Sequence, residues 1–386
     1  MAMTWNIPEP QVVYWPVSLT WASWWRALTL CCAAVVLAGC GVYFWLQDSR
    51  ALMYAFITVM VLILLFIAIA GWRMFRYGVA LEQADATEQY NTQQKLQWQA
   101  WAQQGLTVLD FSAIFPSEVR APQMQKEPVS NSTVFLLPEY RGAEYLFTEL
   151  LVPLCVALRV FTQHHRLTVC LPEGCTPEDW QIFQTVWETL LLPVSALLSP
   201  VYTPDSLLRQ LSVVSESNNA ASGWLVIRHN WHRSDKGTQG AIAWLIAGGS
   251  VNSSMPVSCT LHRPLPSGIT LPDEDIDAFL QYQCVSHHMA GLWYDKTLQP
   301  QMDRLLITLS QTRKNNSNSS VPDASPSPSQ HYLPHWLGEA ERGSDWFAVT
   351  LAMQMSVFSA STQVLALGSG SDVFLMSISA GGKHVA

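Results

Sequence analysis

The sequence contains little charge. Asp, Glu, Lys and Arg make up 13% of its 386 residues, about half the share that is usual in soluble proteins. Basic residues are the scarcer kind, with 21 against 29 acidic residues and a net charge of −8. Because a protein that binds nucleic acid needs basic surface to meet the phosphates, this composition argues against that function.

Cysteine occurs without a recognisable pairing pattern. Three of the eight cysteines, Cys31, Cys32 and Cys40, lie in the first apolar segment, and the other five are scattered through the rest of the chain. Such irregular spacing is not typical of a disulfide framework and favours a reducing compartment. Cys170 and Cys175 also lack the spacing of a redox Cys-x-x-Cys motif.

Motifs that are typical of catalysis are missing. There is no Gly-x-Ser-x-Gly elbow, and residues 368–371 (Gly-Ser-Gly-Ser) lack the lysine of a phosphate-binding loop and precede a predicted strand. Two groups lack the second half of a zinc site and are interpreted as surface residues: His229 with His232, and Cys284 with His287 and His288. Four acidic residues at a predicted helix start are interpreted as stabilising the helix through its dipole, whose positive end lies there: Asp273, Glu274, Asp275 and Asp277. The sequence therefore predicts no catalytic residue, cofactor or metal.

Long apolar runs, in contrast, are present twice near the N-terminus. Residues 27–46 and 51–71 contain no charged side chain, and each run matches the ~20 residues that a helix needs to cross a bilayer. Only four residues separate them. The sequence thus predicts a transmembrane hairpin over 27–73, preceded by a cytoplasmic segment over 1–26.

The ends of this hairpin carry aromatic and basic residues that are typical of a membrane interface. They are Trp21, Trp24, Trp25, Arg26, Trp72, Arg73 and Arg76. Three of the arginines flank the outer ends, whereas the short loop holds Arg50 beside Asp48. The positive-inside rule therefore predicts a two-pass membrane protein with both ends in the cytoplasm.

A competing signal lies inside the first run. Residues 37–40 (Leu-Ala-Gly-Cys) match the lipobox of bacterial lipoproteins, in which Cys40 would become the lipidated N-terminus. The preceding stretch is too long for a usual signal peptide, and the apolar run continues past Cys40. We therefore expect that Cys40 is not lipidated.

The remaining chain is expected to form a connecting helix over 74–104 and a soluble mixed-sheet α/β domain over 105–386. Predicted strands cover 106–110, 133–137, 166–171, 224–228, 241–247, 257–262, 363–367 and 373–378. Predicted helices cover 143–161 with a break at Pro153, a segment beginning at Thr176, 276–284, 302–312 and 344–359. Residues 117–131 are predicted to be a loop, residues 314–330 a flexible insertion, and no internal repeat is evident.

Part of this pattern resembles a known family. Residues 261–264 (Leu-His-Arg-Pro), 338–340 (Gly-Glu-Ala) and 346–352, followed by Gln363 and Val364, are similar to the C-terminal half of membrane-anchored adaptors that load lipase effectors in type VI secretion. The resemblance covers about a third of the chain, and the serine-rich linker and double span depart from the family. It implies a non-enzymatic accessory protein of the bacterial inner membrane whose partners are effector or spike proteins.

The predicted function is accordingly binding without catalysis, by an adaptor that contacts other proteins and membrane lipid but no nucleic acid. Seventeen tryptophans include candidates for a partner-binding surface, although core packing explains most of them. Two alternatives remain open at this point: a membrane-tethered α/β enzyme with an unrecognised active site, and a structural subunit of a membrane complex.

Overall fold

The computed structural model divides the chain into two compact units, Ile7–Gln97 and a second unit that comprises Met1–Asn6 with Trp98–Ala386. The structure describes residues 5, 7–47, 50–120, 124, 135–203, 207, 222–231, 237–248, 255–268, 271–283, 289–308, 328–338, 343–369 and 372–381.

The first unit is a two-pass membrane hairpin, as predicted. Helix α1 covers Ala22–Leu46 and α2 covers Arg50–Gln103, and each contains a strongly apolar window that is not buried within the protein. The two helices approach closely at Gly39, where an added Cβ would lie 2.5 Å from the Cβ of Ala55. Small residues allow such an approach, because packing and not burial from water holds helices together in lipid.

Aromatic and polar contacts join the outer ends of the hairpin. Trp24 and Trp25 pack against Phe66 of α2, and the Arg73 guanidinium lies 4.7 Å from the centroid of the Trp24 ring. Further from the spans, the Asn91 amide accepts from the Gln11 N–H at 3.0 Å and donates to the Gln11 carbonyl at 2.8 Å. The segment before α1 therefore runs beside the part of α2 that follows the second span.

The second span and the predicted connecting helix form one continuous helix of 54 residues. No proline interrupts it, and its internal Gly71 and Gly78 face open space. Its last residues belong to the α/β unit, where Arg263 lies 4.3 Å from the ring centroid of Trp101 and His262 Nδ1 lies 2.7 Å from the Gln103 carbonyl oxygen. The predicted docking of this helix end on the domain is confirmed.

Within its described residues, the α/β unit forms a mixed sheet of eleven strands with helices packed on it. Its strands are β1 Gly105–Ile114, β2 Arg166–Pro172, β3 Val201–Thr203, β4 Ser222–His229, β5 Ala241–Ala247, β6 Cys259–His262, β7 Leu265–Gly268, β8 Met289–Tyr294, β9 Ser329–Tyr332, β10 Thr362–Ser369 and β11 Asp372–Ala380. Its further helices are α3 Ala143–Leu151, α4 Cys155–Thr162, α5 Pro177–Thr189, α6 Asp273–Tyr282, α7 Pro334–Leu337 and α8 Ser344–Ser359, and residues 302–308 are also helical.

The sheet consists of two halves with the same strand order. Read from its outer edge to the centre of the sheet, the first half has the order β3-β2-β4-β5-β1 and the second half has the order β9-β8-β10-β11-β6. Strand β7 also pairs with β11. In each half three parallel strands are followed by an antiparallel one. Strands β1 and β6 join the halves in antiparallel register. The sequence showed no repeat, because the duplication lies in the pairing order and not in matching residues.

Helix α8 lies at the centre of the largest core cluster, against β5, β6, β10 and β11. Ten of its sixteen residues are buried, which explains its apolar character on every side. Helices α3, α4 and α5 cover the other face of the first half, and α6 with residues 302–308 packs in a third cluster with strands of the second half. This layering positions polar groups at the two ends of α8.

Most predicted elements are confirmed, and the differences concern short segments. Residues 135–137 form no strand, and residues 133 and 134 lie outside the described part. Strands β3, β7, β8 and β9 were missed, since runs of three to six residues carry little periodic signal. Most of the predicted insertion over 314–330 also lies outside the described residues, but its last two residues, Ser329 and Gln330, belong to β9.

Candidate functional site

The groups that the sequence singled out are only partly described, and their described members do not assemble into one site. His232, Cys284, His287 and His288 lie outside the described residues, and His229 ends β4. Cys170 is buried in β2 and Cys175 is half-buried. Asp273 pairs with Arg304 at 2.5 Å. Within the described part of the chain, no group of three His, Cys, Asp or Glu side chains is placed to hold a metal ion.

A hydroxyl and an imidazole meet instead on the edge strand β9. Ser329 and His331 are two residues apart, so their side chains lie on the same face of the strand. The Ser329 Oγ lies 2.9 Å from the His331 Nε2 and also donates to the Ala290 carbonyl oxygen at 2.9 Å. Ser329 is exposed, whereas His331 is buried. An accessible hydroxyl beside an imidazole is the arrangement of a nucleophile and its base.

The neighbouring strand β8 holds the imidazole in place. Trp293 is the register partner of His331, and the two rings stack with centroids 4.2 Å apart and an angle of 19° between their planes. Burial lowers the pKa of His331 to about 4, because the charged form loses its hydration. The imidazole is therefore neutral at pH 7.

Strand β10 adds an amide to this group. The Gln363 Oε1 accepts from the Trp293 Nε1 at 3.0 Å, and the Gln363 Nε2 donates to the Ser361 Oγ at 3.1 Å. The amide fits there because Gly291 lacks a side chain, since a Cβ at Gly291 would lie 2.1 Å from the Gln363 Oε1 and 3.4 Å from the Ser329 Oγ. Gly291 thus allows the amide and the hydroxyl to converge beside β8.

A second polar group lies at the other end of α8. The Asp345 carboxylate accepts from the Leu207 and Trp346 N–H groups, each at 3.0 Å. Arg228 lies 5.0 Å from the Trp346 ring centroid and donates to the Thr203 hydroxyl. Burial raises the pKa of Asp345 to about 6, although the two N–H groups and Arg228 oppose the shift. This group contains a perturbed acid but no nucleophile within hydrogen-bond distance among the described residues.

Sequence reasoning missed the Ser329 group for a physical reason. Ser329 falls at the end of a stretch that reads as a polar linker, and β9 has only four residues. Trp293 and Gln363 come from strands that are far away in sequence, and only the parallel pairing of β8 with β9 and β10 brings them together. The available signal was the Ser-x-His alternation followed by an apolar residue, which is too common to identify a site.

No family model and no curated protein sequence matches the chain. Among solved structures, 3-oxoacyl-(acyl carrier protein) synthase III from Aquifex aeolicus is 13% identical with a TM-score of 0.41, over 71% of this chain and 100% of that one. The Thermus thermophilus synthase III is 10% identical with a TM-score of 0.39 over 72% and 99%. A Xanthomonas campestris OleA structure is 9% identical with a TM-score of 0.44 over 72% and 98%.

These comparisons contradict the predicted non-enzymatic adaptor function, because the two synthases similar to this chain are named as enzymes. The prediction that the protein is no enzyme is wrong on the same finding, and the alternative of a membrane-tethered α/β enzyme agrees with it better. At such identities and TM-scores the likeness concerns the fold and assigns no reaction to this chain. The resemblance to the secretion family and its protein partners is untested and stays a prediction.

Proposed function

We propose that this chain is a membrane-tethered α/β enzyme that cleaves or transfers acyl groups through Ser329. The observation that carries the proposal is the 2.9 Å contact between the Ser329 Oγ and the His331 Nε2. It lies within the range that is expected for a nucleophile and its general base. Substrates of this chemistry are esters or thioesters.

The reaction follows from the roles of the two side chains. In the His331 tautomer whose Nε2 is unprotonated, the Ser329 hydroxyl turns from the Ala290 carbonyl to this nitrogen, and its proton passes to the Nε2 as the Oγ attacks the carbonyl carbon. The tetrahedral intermediate expels the alcohol or thiol, which takes the proton from His331, and leaves an acyl ester on Ser329. Water or another acceptor then attacks this ester, again with His331 as base, and restores the hydroxyl.

The other residues of the group orient these two. Stacking on Trp293 limits rotation of the imidazole, and Trp293 is itself fixed by its hydrogen bond to Gln363. Such orientation matters because a small misplacement of a reacting group costs a large part of its rate advantage.

A fluorophosphonate probe tests the proposal, since it forms a covalent bond with activated serine. The full chain in lipid nanodiscs should be labelled at Ser329, as located by peptide mass spectrometry. Ser329→Ala should abolish the labelling, and His331→Gln should slow it about 100-fold or more. Ser195→Ala, which removes an exposed serine outside this hydrogen-bonded group, is the matched control and should keep labelling. Equal labelling of wild type and Ser329→Ala would refute the proposal.

We further propose that the α/β unit lies on the cytoplasmic side of a bacterial inner membrane. The two-pass hairpin supports a common side for both outer ends, and the contact between Gln11 and Asn91 lies beyond those ends. The excess of Arg26, Arg73 and Arg76 over Arg50 supports the cytoplasmic assignment.

A further inference from the structure

A cleft opens beside the C-terminal part of α8, and none of its lining residues belongs to the Ser329 group. It has a volume of about 380 Å³, at the lower end of the range for small-molecule sites. Its walls are mainly aromatic and aliphatic, with two polar side chains. The principal residues are Phe111, Phe115, Val357 and Phe358, together with Arg120 and Gln354.

The apolar wall is partly open to solvent. Val357 and Phe358 are 45% and 52% exposed, although the preceding turns of α8 are buried in the core. Phe115 forms the opposite, rigid side, because it is buried and packs edge-on against Phe347 with centroids 5.8 Å apart. Exposed aromatic surface beside a fixed aromatic wall favours a ligand with an apolar chain.

Arg120 gives the cleft a positive charge that the described side chains do not neutralise. Within the described residues, Arg304 and Asp273 form the single ion pair, and Arg120 is exposed at the cleft. A guanidinium binds a carboxylate or phosphate through paired hydrogen bonds. The cleft therefore offers one anion-binding group beside an apolar surface.

We propose that this cleft binds an anionic amphiphile, whose carboxylate or phosphate pairs with Arg120 while its hydrocarbon chain covers Phe111, Val357 and Phe358. The membrane anchor supports this ligand class, because it keeps the chain where such molecules are concentrated. The site contains none of the residues assigned to acyl transfer. Its test can therefore succeed or fail independently of that function.

The experiment uses full-length protein in nanodiscs of zwitterionic lipid and three photoreactive probes. These are a C16 fatty acid, the fatty alcohol of the same length, and phosphatidylglycerol with a photoreactive chain. We expect the fatty acid to cross-link to peptides that contain Phe111 and Val357–Phe358, and unlabelled palmitate to compete. The alcohol should bind about tenfold more weakly, since it lacks the charge that pairs with Arg120. Cross-linking by phosphatidylglycerol would identify an anionic membrane lipid as a source of the ligand.

Two variants decide the role of the charge. Arg120→Gln should reduce acid cross-linking to the level of the alcohol, while Arg166→Gln removes an exposed arginine elsewhere on the α/β unit and should leave it unchanged. The proposal is overturned if acid and alcohol cross-link equally in wild type, or if Arg120→Gln has no effect. It is also overturned if the cross-links map outside the cleft.

Discussion

The His331 imidazole stacks on the Trp293 indole with ring centroids 4.2 Å apart. The stack lies on the α8-facing side of two neighbouring parallel strands, and Trp293 belongs to the same core cluster as α8. It joins the nucleophile candidate Ser329 to the hydrophobic core. The geometry of the proposed site is therefore coupled to packing, and changes in one should appear in the other.

The first prediction concerns the pH dependence of Ser329 labelling. His331 must be neutral to accept the hydroxyl proton, and burial lowers its pKa to about 4. Labelling by the fluorophosphonate should therefore be nearly constant from pH 8 to about 5 and fall only near pH 4. Rate measurements over this range check it. A midpoint near 6.5, the ordinary histidine value, would show that His331 is solvated or is not the base.

A second prediction concerns stability, to which His331 and Asp345 contribute with opposite signs. The folded state binds a proton less readily than the unfolded state at His331, so this residue lowers stability as pH falls from about 6.5 to 4. At Asp345 the folded pKa of about 6 exceeds the ordinary 3.8, so stability falls as pH rises from about 4 to 6. Each effect is about 3 kcal/mol, and they oppose each other over most of this range.

Single variants should separate these two effects. As the pH rises from 4 to 6, the stability of His331→Gln should decrease more steeply than that of wild type, because His331 no longer opposes the effect of Asp345. The stability of Asp345→Asn should instead increase as the pH rises over the same range. Chemical denaturation in detergent at pH 4, 5, 6 and 7 measures both. Parallel pH profiles for wild type and both variants would contradict the shifted pKa values.

Gly291 provides a third prediction. In Gly291→Ala the new Cβ would lie 2.1 Å from the Gln363 Oε1, so the amide must move and the Trp293 N–H loses its acceptor. We expect a loss of stability of about 1–3 kcal/mol and slower labelling of Ser329. Gly268→Ala is the matched control, because its Cβ would meet no atom within 4 Å. Similar losses of stability and labelling in both variants would show that Gly291 has no specific role.

The fourth prediction concerns orientation in the membrane. In a cysteine-free variant that carries Ser327→Cys, a membrane-impermeant thiol reagent should label the protein only after the cells are opened. The reason is the excess of arginine at the outer ends of the hairpin. A cysteine introduced in the short loop, Ser49→Cys, is the matched control and should react in intact cells. Labelling of Ser327→Cys in intact cells would reverse the topology.

The sequence by itself determined the membrane anchor and the kinds of element that follow it. Two uncharged runs of about twenty residues have few other structures available to them, because only a helix satisfies its own backbone in lipid. The strand over 241–247 and the helix over 344–359 could also be predicted from the sequence. Both are buried on all sides, and such burial requires a nearly continuous run of apolar residues. The capping residues Thr176 and Asp179 marked a helix start in the same local way.

Only the tertiary structure decided the duplicated strand order and the candidate sites. Ser329, His331, Trp293 and Gln363 come from three strands, and their convergence depends on register, which no local pattern records. The shifted pKa values of His331 and Asp345 arise from burial by residues distant in sequence. Local residue preferences act over a few neighbours, whereas burial and hydrogen bonding at these positions depend on how whole strands pair.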